Sequence, residues 1–170
     1  MKRIFLTLAL CLAAAAPAPA GAATPGEVTE GNTLRDVTMR GLTGEPKTLS
    51  AFRGKPLIIN MWASYCSPCL QEMGSLERLS KRYGKQFNVI GISIDDHPER
   101  AQAFLAKART TFPHFIDQNL TIEHMLGANR IPLTVLVDAQ GRILYKVYGA
   151  REWDSPDSVK AIGQAFGISM

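Results

Sequence analysis

Two cysteines separated by two residues are the part of this sequence best suited to chemistry. Cys66 and Cys69 enclose Ser67 and Pro68, and a pair at this spacing can form and break a disulfide bond by thiol-disulfide exchange. The pair follows an apolar run of strand length and precedes residues of helical spacing, so we expect Cys66 to lie at the mouth of a helix. The helix dipole and the free N–H groups of the first turn favour a thiolate there.

This position predicts different tasks for the two sulfurs. Cys66 is the predicted nucleophile, and Cys69, one turn further along, attacks the mixed disulfide to release the partner. Pro68 stiffens the loop and gives up an N–H that the first turn could not have used. A purely structural disulfide is the alternative, but a bridge that closes so short a loop adds little stability. The pair is therefore better explained by redox chemistry.

Metal binding by the same cysteines is a further alternative. His97, His114 and His124 are scattered along the chain and lack the paired spacing of zinc ligands. Haem attachment would need a histidine where Leu70 stands. We expect no metal and no cofactor, while copper binding by the two soft thiolates stays open as a different function.

Hydrophobic spacing predicts the elements that position the cysteine pair. The near-continuous apolar run 57–62 predicts a central strand covered on both faces, and apolar residues at three- and four-residue spacing predict a helix over 67–82. The other predicted elements are an N-terminal hairpin from Leu34 to Met39 with a turn over 41–44, strands over 87–94, 115–116, 133–137 and 143–148, and helices over 98–108, 120–126 and 155–166. This order predicts an α/β fold with a mixed central sheet flanked by helices on both faces.

The first residues are typical of a signal peptide. Lys2 and Arg3 precede an apolar stretch, 4–16, and small residues up to Ala22 offer a cleavage site. The predicted organisation is a signal peptide over 1–23, a flexible lead over 24–31 and one domain over 32–170.

Export has consequences for cysteines, location and partners. Loss of residues 1–23 removes Cys11, so Cys66 and Cys69 are the cysteines of the expected mature chain. We predict a periplasmic or otherwise extracytoplasmic protein; the apolar stretch is short for a span, so membrane anchoring is the less favoured alternative. The net charge of +4 forms no basic stripe, so we expect no nucleic-acid partner, and we expect a monomer.

The segment Asn60-Met61-Trp62-Ala63-Ser64-Tyr65-Cys66-Ser67-Pro68-Cys69 resembles the active-site segment of the thioredoxin superfamily, and specifically that of the TlpA/ResA-like exported reductases. The resemblance covers about residues 32 to 168. It implies a thioredoxin fold with a short N-terminal hairpin and a central helical insertion. It also implies reduction of protein disulfides outside the cytoplasm, often in cytochrome c maturation, with electrons from a membrane thiol donor. Two positions depart from the family pattern: Tyr65 replaces a common Trp, and Gly74 stands where a Pro often occurs.

The resemblance also implies functions for residues around the cysteines. Where cytoplasmic thioredoxins carry a buried Asp this chain has Asn60, which cannot take a proton, and Glu72 matches the carboxylate of the branch's Cys-x-x-Cys-x-x-Glu pattern. A solvated Glu72 on the helix face is the alternative. Ile131 and Pro132 match the cis-proline loop that faces the cysteines, where an extended substrate segment could add as a strand.

Two tryptophans complete the set of candidate residues. Trp62, a candidate for contact with the substrate, could shield the disulfide or pack in the core, and both readings stay open. Trp153, in a loop before the last helix, is expected to be a surface packing residue.

We expect the direction of the reaction to be reduction. The dipeptide between the cysteines contains no His, Lys or Arg to strengthen a thiolate, and negative charge on the nearby Glu72 opposes it. The expected function is therefore a reductase of protein disulfides; a disulfide-forming oxidase and a copper-binding thiol chaperone are the alternatives.

Overall fold

The computed structural model describes residues 25–170, so the predicted signal peptide over 1–23 lies outside the described residues. In the described part, seven strands form one sheet. The strands are β1 (Thr38–Gly41), β2 (Lys47–Thr48), β3 (Leu57–Trp62), β4 (Asn88–Ser93), β5 (His114–Ile116), β6 (Leu133–Val137) and β7 (Ile143–Tyr148). The α-helices are α1 (Ser67–Tyr83), α2 (Pro98–Ala108), α3 (Thr121–Leu126) and α4 (Pro156–Phe166), and a 3-10 helix spans Leu49–Phe52.

The sheet has the strand order β2-β1-β5-β4-β3-β6-β7, which places β3 inside it. β3 runs parallel to β4 and antiparallel to β6, and all six of its residues are buried. A strand covered on both faces needs apolar side chains in both alternating positions, which is why its sequence is a continuous apolar run. The predicted mixed sheet is confirmed.

Helices cover both faces of this sheet. Ile58 points into the apolar cluster that includes buried residues of α1, α2 and α4, whereas its neighbour Ile59 points into the cluster that includes α3. α1 ends one residue later than predicted and runs through Gly74 without a break. The β3-to-α1 connection therefore carries the cysteine pair from the buried sheet to the start of a long helix.

The N-terminal hairpin exists, but its first strand was predicted too early in the chain. The strand that pairs with β2 is β1, over Thr38–Gly41, whereas Leu34 is buried and its N–H donates to the carbonyl of Gly141 at 2.8 Å. The apolar residues near Leu34 are thus explained by packing near the β6–β7 connection.

Part of the segment expected as a flexible lead is packed against the domain. Val28 is buried, and its N–H donates to the carbonyl of Met125 at 2.8 Å. Glu27 forms an ion pair with Lys146 at 2.5 Å. Within residues 25–170, no helix combines the length and hydrophobicity needed to cross a bilayer.

Candidate active site

Cys66 and Cys69 are joined by a disulfide at the start of α1. Cys66 is the N-cap of the helix with an extended backbone, φ −92° and ψ 96°, and the N–H of Cys69 donates to its sulfur at 3.2 Å. Pro68 occupies the first turn, where a missing N–H costs the helix no hydrogen bond. The predicted position of Cys66 at the helix mouth is confirmed.

The two cysteines differ in access to solvent. Cys66 is 7% exposed and Cys69 is fully buried. Tyr65 and Leu70, on either side of the pair, are among the few large apolar side chains that are exposed, at 73% and 37%. A partner approaching this surface therefore reaches Cys66 first.

A buried carboxylate that sequence reasoning passed over holds the loop before Cys66. The Asp95 carboxylate accepts from the backbone N–H of Ser64 at 2.8 Å and from its hydroxyl at 2.6 Å. It also accepts from the hydroxyl of Ser93, the last residue of β4, at 2.7 Å. Because β4 is parallel to β3, the ends of both strands meet here, and Asp95 ties one to the loop that follows the other. The signal was an acidic residue two positions after the end of a buried strand.

Glu72 lies in the interior, so the alternative of a solvated side chain is wrong. The residue is 1% exposed, and its Oε1 accepts from the Asn60 amide at 2.7 Å. Its Oε2 accepts from the Trp153 indole N–H at 2.9 Å and from the backbone N–H of Arg151 at 3.1 Å. Glu72 follows Cys69 by three residues on α1, which places the two side chains on the same helix face.

Burial raises the pKa of Glu72 above its ordinary value of 4.5, because desolvation penalises the carboxylate. The hydrogen bonds from Trp153, Asn60 and the Arg151 N–H oppose that effect without cancelling it. Glu72 is thus a carboxyl group able to hold a proton nearer neutral pH than an exposed glutamate.

Trp153 was predicted to be a surface packing residue, but it is buried. It is 3% exposed, its backbone N–H donates to the Ser75 hydroxyl at 3.0 Å, and its indole reaches Glu72. The loop is fixed to α1 a second time by Arg78, whose Nε donates to Asp154 at 2.6 Å. These contacts turn the tryptophan inward.

Asn60 links Glu72 to the sheet. Its Nδ2 donates both to Glu72 and to the Thr134 hydroxyl, the latter at 3.0 Å, and Thr134 is its neighbour across β3 and β6. A neutral amide here donates a hydrogen bond to the carboxylate and leaves the titrating group to be Glu72.

Trp62 is a core residue, and shielding of the disulfide by its ring stays a prediction. It is fully buried, stacks on Phe104 at a centroid distance of 4.5 Å, and belongs to the same apolar cluster as both cysteines. His114 lies edge-on to its ring, and burial lowers the pKa of His114 to about 4. A β-carbon on Gly91 would lie 2.2 Å from His114 Nδ1, so only glycine fits on β4 beneath these rings.

The Ile131–Pro132 peptide bond is cis, as the family resemblance implied. Pro132 immediately precedes β6, whose first residue Leu133 pairs with Met61 near the end of β3. The loop therefore lies at the end of the sheet from which the chain continues to Cys66. No group of three or more His, Cys, Asp or Glu side chains among residues 25–170 is arranged to hold a metal ion.

Comparison with known proteins supports the same chemistry. The family model Redoxin matches residues 29–163. The chain is 31% identical over 119 residues to the thioredoxin-like protein YneN of Bacillus subtilis, which covers 68% of this chain and 69% of the relative. It is 28% identical over 117 residues to the thiol-disulfide oxidoreductase ResA of Geobacillus thermodenitrificans, covering 68% and 67%.

A solved structure agrees in fold. The crystal structure of a Chlorobium tepidum protein assigned as thiol:disulfide interchange protein DsbE superposes with a TM-score of 0.74 at 26% identity, covering 82% of this chain and 99% of that one. The disulfide at the start of α1, the mixed sheet and these similarities lead to one assignment. The chain belongs to the Redoxin family and is a TlpA/ResA-like thiol-disulfide oxidoreductase with the thioredoxin fold.

Proposed function

We propose that this protein reduces disulfide bonds of protein substrates in an extracytoplasmic compartment. The Cys66 thiolate attacks one substrate sulfur, forming a mixed disulfide and releasing the other substrate sulfur as a thiolate. The Cys69 thiolate then attacks Cys66, which releases the second substrate sulfur and leaves the Cys66–Cys69 disulfide. Two electrons pass to the substrate. The observation that carries the proposal is the difference in burial between a reachable Cys66 and a buried Cys69.

The helix mouth supports Cys66 as the nucleophile. In the reduced protein the N–H of Cys69, which already points at Cys66 Sγ, is placed to stabilise a thiolate on that atom. Cys69 has no exposed surface, so its reaction partner is the neighbouring sulfur of the mixed disulfide. An intramolecular attack of this kind is fast because the two sulfurs are held close together.

Glu72 is the proposed proton carrier for Cys69. Cys69 must lose its proton before it attacks, and the buried carboxyl group one turn away on α1 can accept that proton and return it. Its raised pKa makes the Glu72 carboxylate a better proton acceptor than an exposed glutamate. Asn60, Trp153 and the Arg151 N–H hold the carboxylate in place.

We propose that the substrate segment binds beside Pro132 as an added strand. Ile131 is partly buried and packs against the apolar cluster that contains both cysteines, which supports a binding site beside the disulfide. Pro68 is exposed next to Cys66 and would border the same segment.

Location and electron supply complete the proposal. The signal-like segment over 1–23 supports export to the periplasm or its equivalent, with membrane anchoring as the less favoured alternative. Each reaction with a substrate there oxidises the cysteine pair to the disulfide, so the protein needs a reductant, which we propose to be a membrane thiol donor. Cytochrome c maturation is the proposed pathway, and a monomer is the proposed state.

Redox equilibration tests the direction of the reaction. The purified protein is incubated in graded ratios of reduced to oxidised glutathione, and its thiols are trapped and counted. A reductase is expected to hold the pair as a disulfide in oxidising buffer of the secretory kind. A pair that stays largely dithiol in that buffer would identify an oxidase instead. Copper titration with the thiols free and blocked separates the chaperone alternative.

A further inference from the structure

A cavity of about 380 Å³ opens directly beside Cys66. One wall is the loop and first turn of α1, including Tyr65, Cys66 and Leu70, and the other is the exposed face of α2. Because the reachable cysteine is part of the wall, a substrate that forms a mixed disulfide with Cys66 must also occupy or cover this cavity.

Two cations from α2 line the cavity. Arg100 and Lys107 are exposed and seven positions apart, so they lie on the same side of the helix. Neither has an ion pair or a side-chain hydrogen bond with any other described residue. Arg100 lies in the first turn, where a positive charge opposes the helix dipole. Helix stability therefore does not explain its position.

Within residues 25–170, no carboxylate lines this cavity. The acidic groups that act on Tyr65 are Asp95, Asp96 and Glu123, which follow burial as causes of its raised pKa. Asp95 is occupied by its hydrogen bonds to Ser64, and none of the three belongs to the cavity wall. The charged side chains that line the cavity are thus both cations, although acidic groups outside its wall act on Tyr65.

Its rim supplies apolar contact as well. Tyr65 and Leu70 keep 73% and 37% of their surface exposed on either side of Cys66. Exposed aromatic and aliphatic groups beside charges are features of protein-binding surfaces.

We propose that this cavity recognises an acidic protein segment next to the substrate disulfide, an inference that rests on the proposed reductase function. Seven helical residues separate Arg100 and Lys107 by about 10 Å along α2. An extended segment of the polyproline II type covers about that distance in three residues and brings every third side chain back to the same side. The fitting substrate therefore carries two Asp or Glu side chains about three residues apart, beside the cysteine that Cys66 attacks.

The test uses synthetic peptides that contain one disulfide and a flanking pair of Glu, Gln or Lys residues three positions apart. The full reduced protein should reduce the Glu peptide about fivefold faster than the Lys peptide, since each exposed charge pair contributes modestly. Raising the salt concentration should remove the preference, because mobile ions screen exposed charges. Equal rates for all three peptides at low salt would overturn the proposal.

Matched charge-reversal variants identify the cations responsible. The Arg100→Glu/Lys107→Glu double variant should lose or invert the ratio of Glu-peptide to Lys-peptide rates. The Lys85→Glu/Lys160→Glu variant, which alters net charge equally at exposed residues outside the cavity, should keep it. An unchanged ratio in the first variant, or a dimer that the first variant disrupts, would refute the assignment. Reduction of bis(2-hydroxyethyl) disulfide by the wild-type protein reports the proposed function separately, because this substrate is uncharged.

Discussion

Replacing Trp153 by Phe should destabilise the protein more at neutral pH than at acid pH. Trp153 Nε1 donates to Glu72 Oε2 at 2.9 Å, and phenylalanine keeps most of the ring but has no donor. Oε2 retains one donor, the backbone N–H of Arg151 at 3.1 Å. The substitution therefore leaves the buried Glu72 side chain with one donor fewer, and this loss costs more when Glu72 is charged.

The size and sign of the effect follow from the site. A hydrogen bond to a charged group contributes about 1.5–3 kcal/mol, and a neutral one about 1 kcal/mol. The folded-state pKa of Glu72 is already raised, so its ionisation costs stability as pH increases through that pKa. Loss of the indole donor raises the pKa of Glu72 further. The variant should therefore lose about 1 kcal/mol more of unfolding free energy at pH 8 than at pH 4.

Urea unfolding of the oxidised protein at the two pH values measures this difference. The other titrating groups are common to both proteins and cancel when variant and parent are compared at one pH. The same substitution in a Glu72→Gln background is the control, since no charge remains there and its cost should be equal at both pH values. An equal cost in the wild-type background as well would refute the electrostatic link between Trp153 and Glu72.

Five substitutions test other parts of the structure. Glu72→Gln should slow release of the mixed disulfide by about a hundredfold and flatten its pH-rate profile, as expected when a proton carrier is lost; an unchanged profile in stopped-flow measurements would count against that function. Asp95→Asn should lower the unfolding free energy by about 1–3 kcal/mol, because the buried carboxylate accepts two hydrogen bonds from Ser64 in the loop before Cys66. Asp96→Asn, at an exposed neighbour, is the control and should change the unfolding free energy by less than about 0.5 kcal/mol in the same urea assay. Gly91→Ala should cost about 1–3 kcal/mol, because the new β-carbon would meet His114 at 2.2 Å. A β-carbon at Gly74 would meet Arg78 Nη1 at 3.4 Å, so Gly74→Ala should instead stabilise α1 by about 0.5–1 kcal/mol. Thermal melts of the two glycine variants should then shift in opposite directions.

The β3-to-α1 segment that carries the cysteines could be predicted because the sequence patterns that identify it lie close together in the chain. The apolar run of β3, the helical spacing after Cys69 and Pro68 in the first turn are each visible within a few residues. The same local geometry places Glu72 near Cys69, three residues further along the helix. These elements and the mixed sheet are confirmed.

Contacts between distant segments could not be predicted in the same way. Trp153 and Glu72 are 81 positions apart, and only the closed fold brings the loop before α4 onto α1. Asp95 and Ser64 are 31 positions apart and meet because β3 and β4 end side by side. The first strand was predicted too early in the chain for a similar reason. Leu34 is buried by packing near the β6–β7 connection, which lies far away in the sequence, and not by a strand of its own hairpin. Polar side chains buried by tertiary structure look like surface residues in a single sequence.

Selective alkylation of the reduced protein tests the central claim, that Cys66 is the attacking sulfur. The protein is treated with less than one equivalent of iodoacetamide at neutral pH, and the labelled cysteine is identified by peptide mass spectrometry. Because Cys66 lies at the helix mouth and Cys69 is buried, the label is expected on Cys66, with Cys69 protected. Predominant labelling of Cys69 would contradict the account and reverse the two functions assigned to the pair.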